Sequence, residues 1–136
     1  MRWTCPRCDR EFGRANQSHV CVPGNTVADA FAGSPEHRAI YDAIVECVEQ
    51  LGPYHADAVR VGVFLLSDRK FAEVRPKSRW LDVSLYLPRP IEHPRVVRTV
   101  AVSSRRTVSV VRLRTPADLD DDVRSWIADA YAEATS

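Results

Sequence analysis

Trp80-Leu81-Asp82-Val83-Ser84-Leu85-Tyr86-Leu87 is an unbroken alternation of apolar and amphipathic or polar residues. Successive side chains of a strand point to opposite faces. Leu81, Val83, Leu85 and Leu87 are therefore expected on one side, and Trp80, Asp82, Ser84 and Tyr86 on the other. Burial on one side only is the mark of an antiparallel sheet with one covered face.

Working upstream, Phe71–Arg75 reads as a short strand stopped by Pro76, and Ser67-Asp68-Arg69-Lys70 as a hairpin connection. Val59–Leu66 is rich in Val, Phe and Leu, and its continuous apolar run suggests one central strand. Downstream, Pro88, Pro90 and Pro94 make a rigid connection. Val96–Val102 and Thr107–Arg114 read as two further strands joined at Ser103–Arg106, with imperfect alternation that predicts a bulge.

Helices flank the strands. Asn25 or Thr26 is positioned to cap a short helix through Phe31, ended by Gly33. Ser34-Pro35-Glu36 opens a second: a capping Ser, a Pro where no N–H is needed, and an acid at the positive helix end. Ile40, Ile44, Cys47, Val48 and Leu51 share one face of it, and Gly52-Pro53 stops it. A last helix starts at Thr115 or Asp118, with Asp118, Asp120, Asp121 and Asp122 reading as partners of the helix dipole. Leu119, Val123, Trp126, Ile127, Ala130 and Ala134 form its apolar stripe. The expected class is α+β: an antiparallel meander of about five strands with the helices packed on one face.

Ahead of this domain lies WTCPRCDREFGRANQSHVC, residues 3–21. Cys5 and Cys8 form C-x-x-C, a spacing that aims two thiolates at one metal. His19 and Cys21 complete a Cys₃His set, and Phe12 can supply a miniature core. The stretch is too short to fold on buried area, so a structural zinc ion would have to supply the folding energy. Four protein ligands leave no open position for catalysis. No apolar leader precedes the motif, so a reducing, cytoplasmic setting is expected, where disulfides are rare. A redox C-x-x-C follows a strand, and none is expected before Cys5. The pattern is similar to a Cys₂His₂ finger, but it has a ten-residue gap between ligand pairs and H-x-C in place of the second pair. Its helix is too short to read three bases in a major groove. The expected division is a zinc module with linker over residues 1–24 and the α+β domain over 25–136.

The chain has 136 residues and a net charge of +1, but the charge is segregated. Residues 60–114 hold thirteen Lys and Arg against four acids; residues 22–59 and 115–136 are each acidic. The longest uncharged apolar run, Val61–Leu66, is too short to span a membrane. His37, His55 and His93 are isolated, there is no phosphate-binding glycine loop, and Asp68, Lys70 and Glu73 have the wrong order for a nuclease-like D…E-x-K pattern. No catalytic constellation stands out, so a non-enzymatic role is favoured over an enzymatic one. The basic centre gathers Arg69, Lys70, Arg75, Lys77 and Arg79 around Phe71, Trp80 and Tyr86, with Arg98, Arg112 and Arg114 as extensions. Cations neutralise phosphates and flat aromatics on an open sheet stack bases. Against that, sheet edges carry Lys and Arg to block aggregation.

VADAFAGSPEHRAIYDAI, LGPYHADAV, KFAEVRPKSRWLDVSLYLP and TPADLDDDVRSWIADAY resemble the bacterial domain-of-unknown-function family 5655, from about Thr26 to Ala134. The leading CPRCDREFGRANQSHVC looks like the zinc-finger head of some members. The resemblance implies no activity; fusion of related domains to restriction-like nucleases implies association with nucleic acid. The expected function is thus a zinc-containing accessory protein that binds nucleic acid through the finger and Lys70, Arg75, Lys77, Arg79 and Trp80. The rivals are a module that docks another protein or a second copy of itself, and a binder or enzyme with a small anionic ligand held by Lys70, Arg75 and Lys77.

Overall fold

The computed structural model describes residues 3–4, 11–13, 27–31, 34–59 and 62–135. In chain order it contains β1 (Trp3–Thr4), β2 (Glu11–Phe12), α1 (Val27–Ala30), α2 (Pro35–Glu49), β3 (His55–Val59), β4 (Gly62–Leu66), β5 (Lys70–Pro76), β6 (Leu81–Leu87), β7 (Val96–Ser103), β8 (Arg106–Leu113), a 3₁₀ turn (Pro116–Asp118) and α3 (Asp121–Thr135). The class is α+β, as expected. Strands β3 to β8 form one antiparallel sheet in the order β3-β4-β5-β6-β8-β7.

The sheet has six strands rather than about five, because the Val59–Leu66 run is not one strand. Val59 ends β3 and pairs with Gly62, which opens β4, so the run reverses direction between these two residues. Gly62 makes this possible: a Cβ there would stand 2.1 Å from the Val74 carbonyl oxygen on β5. Only a residue without a side chain lets β4 approach β5 so closely. Consequently β4 is not central but lies next to the edge strand β3.

Nor is the sheet a simple meander. β8, not β7, pairs with β6, so the proline-bearing connection after β6 steps over one strand position. The side chains explain the choice. β8 offers Ser109, Val111 and Leu113 to the covered face, all buried, whereas β7 offers one half-buried residue, Val96, and then Thr99 and Ala101, both exposed. The strand with the larger apolar payload takes the covered position. The bulge expected in this pair occurs in β7, with register shifts at Val96/Arg98 and Ala101/Ser103.

The alternation of β6 holds. Leu81, Val83 and Leu85 are fully buried and Leu87 nearly so. Val83 sits between Val74 on β5 and Val111 on β8. Ile40, Ile44 and Val48 from α2 and Val123, Ile127, Ala130 and Ala134 from α3 pack on that same face. Burying each large aliphatic side chain contributes roughly 1.5–3 kcal/mol. His37, Tyr41 and Tyr131, absent from the expected apolar faces, are also buried. Leu51 is a correction: α2 ends at Glu49, the chain turns away, and Leu51 is 37% exposed. Cys47 is half-buried, and burial pushes its thiol up.

The helix ends differ in detail from expectation. Pro35 opens α2, but the Ser34 side chain makes no cap bond; the Arg38 amide donates to the Ser34 carbonyl instead. After α2, Gly52 has a φ of +151°, and a Cβ there would meet the Tyr131 hydroxyl at 2.5 Å. That hydroxyl donates to the Pro53 carbonyl and ties α3 to the end of α2. At the other end, Thr115 and Asp118 form a capping box around the 3₁₀ turn. Asp120 then caps α3 by accepting the Val123 amide at 3.1 Å. Its second oxygen accepts from Arg95 at 2.6 Å, so the acidic run serves the helix start.

Asn25, Thr26 and Gly33 lie outside the described residues, as do Cys5, Cys8, His19 and Cys21. β1 and β2 pair antiparallel, Trp3 with Phe12 and Thr4 with Glu11, and β2 lies against β3; a two-residue strand therefore precedes Cys5, where none was expected. Among the described residues no helix is long and apolar enough to cross a membrane.

Candidate nucleic-acid interface

The alternation that builds the core also builds a second face. Residues paired across the sheet on the other side include Phe64 of β4, Glu73 and Arg75 of β5, Asp82, Ser84 and Tyr86 of β6, and Val110 and Arg112 of β8. The buried residues of α2 and α3, and the half-buried Val27 and Ala30 of α1, join the opposite side, so none of these helices packs here.

A β-bulge completes this face at one end. Leu65 pairs with Ala72 but Leu66 pairs with Lys70, which leaves Phe71 as an extra residue. Phe71 turns into the core, fully buried and edge-on to Tyr131 at 5.4 Å. It is therefore not a surface aromatic, which corrects the expectation from sequence. Two strand residues three apart would ordinarily face opposite ways. The bulge brings Lys70 round to join Glu73.

Glu73 holds the surrounding side chains in register. Its Oε1 accepts from Lys70 Nζ at 2.5 Å and from the Tyr86 hydroxyl at 2.8 Å, and its Oε2 lies 3.1 Å from Arg75 Nη2. Burial would raise the Glu73 carboxyl, but hydrogen bonds from Lys70 and Tyr86 and the charges of Lys70 and Arg75 outweigh it and hold it low. Burial would likewise lower Lys70, but the same partners raise it. Tyr86 is raised, chiefly by burial. Glu73 is thus ionised, Lys70 charged and Tyr86 neutral near pH 7. This is an arrangement for holding charge in place rather than for moving protons. The Lys70 ammonium also lies 4.3 Å from the Phe64 ring centroid, and the Arg106 guanidinium 4.6 Å from that of Tyr86.

Trp80 marks the far end. The Arg112 guanidinium lies 3.9 Å from its ring centroid and that of Arg114 5.7 Å. Arg112 also reaches Asp82 at 3.5 Å. Between the ends is a depression of about 170 Å³, bordered by Arg75, Ser84, Tyr86 and Arg98. Two buried donors on this face, Arg75 Nε and Trp80 Nε1, have no hydrogen-bond partner among the described residues.

The five residues expected from sequence to bind do not form one cluster. Lys70 opens β5, Arg75 lies near its end, and Lys77, Arg79 and Trp80 follow beyond Pro76. At ~3.3 Å per residue a strand of this length separates its ends by roughly 20 Å. The Lys70, Arg75 and Lys77 set expected for a small anionic ligand is spread over that span. Lys77 and Arg79 are exposed in the β5–β6 turn. Phe64 and Arg106 belong to the face without having stood out in the sequence, and Glu73 figures in the sequence only as part of the discounted nuclease-like pattern. The Glu73 signal is visible only once the bulge sets Lys70 beside it.

Among the described residues no group of three or more His, Cys, Asp or Glu is placed to hold a metal ion. Residues 27–134 match the model of the family described as Domain of unknown function (DUF5655). No curated protein and no solved structure matches the chain.

Proposed function

The chain belongs to the DUF5655 domain family, and we propose that this member is a non-enzymatic, cytoplasmic accessory protein that binds single-stranded nucleic acid along its open sheet face. One observation carries the reading: aromatics alternate with cationic groups along the sheet face that α1, α2 and α3 leave free, from Lys70, Arg106 and Tyr86 to Arg112, Arg114 and Trp80. Glu73 is matched by Lys70 and Arg75 and Asp82 by Arg112, and the cations left over, Arg98, Arg106 and Arg114, outnumber the further acid on this face among the described residues, the buried Asp57 opposite Phe64. Phosphates answer the cations, and base faces answer the stacked guanidinium and aromatic planes.

The zinc module is part of the same proposal. Cys5, Cys8, His19 and Cys21 would hold one structural zinc ion, and the β1–β2 pairing brackets the stretch of sequence that includes Cys5 and Cys8. Arg7, Arg10 and Arg14 add phosphate contacts beside it. Two linked weak sites gain affinity through effective concentration. Anisotropy of labelled single- and double-stranded oligonucleotides across a salt series tests the reading. Affinity should grow with strand length and fall steeply with salt; no binding even at low salt removes it.

A second reading is favoured by β7. This edge strand exposes Val97, Val100 and Val102 at 46%, 46% and 56%. An unpaired, valine-rich edge is a template for another strand, so the chain would associate with a second copy or another protein through it. Concentration-dependent mass in light scattering, lost in Val100→Lys, is its signature.

A further inference from the structure

At the Lys70 end of the sheet, two hairpins bring three arginines together. Arg69 lies in the β4–β5 turn; Arg105 and Arg106 lie in and just after the β7–β8 turn. With Tyr86, Leu87 and Pro88 they border a recess of about 220 Å³. Two of the guanidiniums are held from behind. Arg69 Nη2 donates to the Glu133 carbonyl. Arg106 Nη2 donates to the Lys70 carbonyl at 2.7 Å while its plane lies over Tyr86. Each guanidinium has five N–H donors, so anchoring leaves most of them free. Arg105 is exposed; its backbone amide, not its side chain, donates to Ser103 Oγ. Among the described residues none of the three forms an ion pair with a carboxylate.

Like charges converge at a cost unless an anion joins them. Among the described residues Glu133 supplies the only carboxylate bordering the recess. Three guanidiniums against one carboxylate leave two positive charges uncompensated. A phosphate monoester carries about −1.5 to −2 at pH 7, whereas a diester inside a strand carries one charge. Guanidinium forks match the oxygens of such a group. Tyr86 borders both the recess and the depression on the open face, so the two are neighbours.

We propose that the Arg69/Arg105/Arg106 recess is a binding site for a phosphate monoester. The source is the phosphorylated end of a nucleic-acid strand whose body lies on the open face. This rests on the nucleic-acid reading and deepens it, since it gives the face a direction and a preferred end. The same chemistry would be met by a free mononucleotide.

The test uses the full-length, zinc-loaded protein. Anisotropy is measured for one single-stranded sequence with a 5′-phosphate, with a 3′-phosphate and with hydroxyls at both ends. Competition with a nucleoside 5′-monophosphate and with inorganic phosphate runs alongside. Arg105→Ala is the clean variant because that side chain anchors nothing; Arg69→Gln is the second. A terminal phosphate at one end should tighten binding about tenfold, and Arg105→Ala should erase most of the difference. If strands bind equally with and without terminal phosphate and neither competitor displaces them, the recess proposal is overturned while the open-face reading stands. If no strand binds but the monophosphate does, and Arg105→Ala weakens it, the recess is confirmed with a free nucleotide as its ligand and the open-face reading falls. If nothing binds, both fall.

Discussion

Glu73→Gln separates what holds the open face together from what the face is for. The substitution keeps the side chain's shape and removes its charge. In the native protein the Glu73 and Lys70 side chains are only 10% and 29% exposed, so their 2.5 Å contact is poorly screened. The Tyr86 bond at 2.8 Å adds a second charge-assisted interaction. Arg75 is 43% exposed, and its contact is discounted as a surface pair worth a few tenths of a kcal/mol. Losing the charge at the first two contacts, with Lys70 left half-buried, costs about 1.5–3 kcal/mol. For a domain of this size that lowers Tm by roughly 5–10 °C. The loss carries a pH signature. The folded Glu73 pKa lies below its unfolded value, so its stabilisation is fully present above the ordinary Glu range and disappears as pH falls through the lowered value. Wild type and variant should differ by a constant amount above the ordinary Glu range, from about pH 5 to 8, and converge as pH falls below that range. Binding should move the opposite way: one negative charge fewer on a cationic face leaves affinity for single strands equal or higher at low salt. Urea denaturation at several pH values, with anisotropy at a temperature where both proteins are folded, checks both arms. A stability loss under about 0.5 kcal/mol, within the scatter of ordinary surface substitutions, would refute the buried pairing. A selective loss of affinity in a folded variant would refute the electrostatic account of the face.

Gly62→Ala forces a Cβ to 2.1 Å from the Val74 carbonyl, so β4 must separate from β5; a loss of more than about 2 kcal/mol is expected in chemical denaturation. Phe71→Ala and Trp80→Ala should behave as opposites. The first removes a fully buried ring and costs about 3–5 kcal/mol. The second weakens strand binding and releases Arg112 with a smaller effect on Tm. Metal analysis of protein purified without added zinc should give close to one equivalent. Well under half an equivalent, with Cys5 and Cys8 reactive to thiol reagents, would sink the zinc assignment.

The parts of the fold that were legible in sequence are those set by local periodicity. The β6 alternation predicted which side chains enter the core, and the spacing of Ile40, Ile44 and Val48 predicted the buried side of α2. The parts that were not legible depend on contacts between distant strands. A run of apolar residues from Val59 to Leu66 carries no internal sign of reversal; the decisive contact is Gly62 against Val74. The order of β7 and β8 was hidden because both are Val-rich, and only the burial of Val111 and Leu113 separates them. For the candidate site, the basic stretch was visible as composition, but its geometry was not. Pairing β6 with β8 is what stacks Arg112 on Trp80, and the Phe71 bulge is what sets Lys70 beside Glu73. The Arg69/Arg105/Arg106 recess draws on two turns far apart in the chain, so no local pattern announces it.

The most direct test of the central claim is to titrate isotope-labelled protein with a short single-stranded oligonucleotide and map the amide and side-chain NMR shifts. The account predicts changes concentrated on β5, β6 and β8, with the Trp80 indole N–H and the Arg75 and Arg112 Nε–H groups among the largest. Binding whose shifts fall on α2 and α3, or run only along the β7 edge, would contradict it.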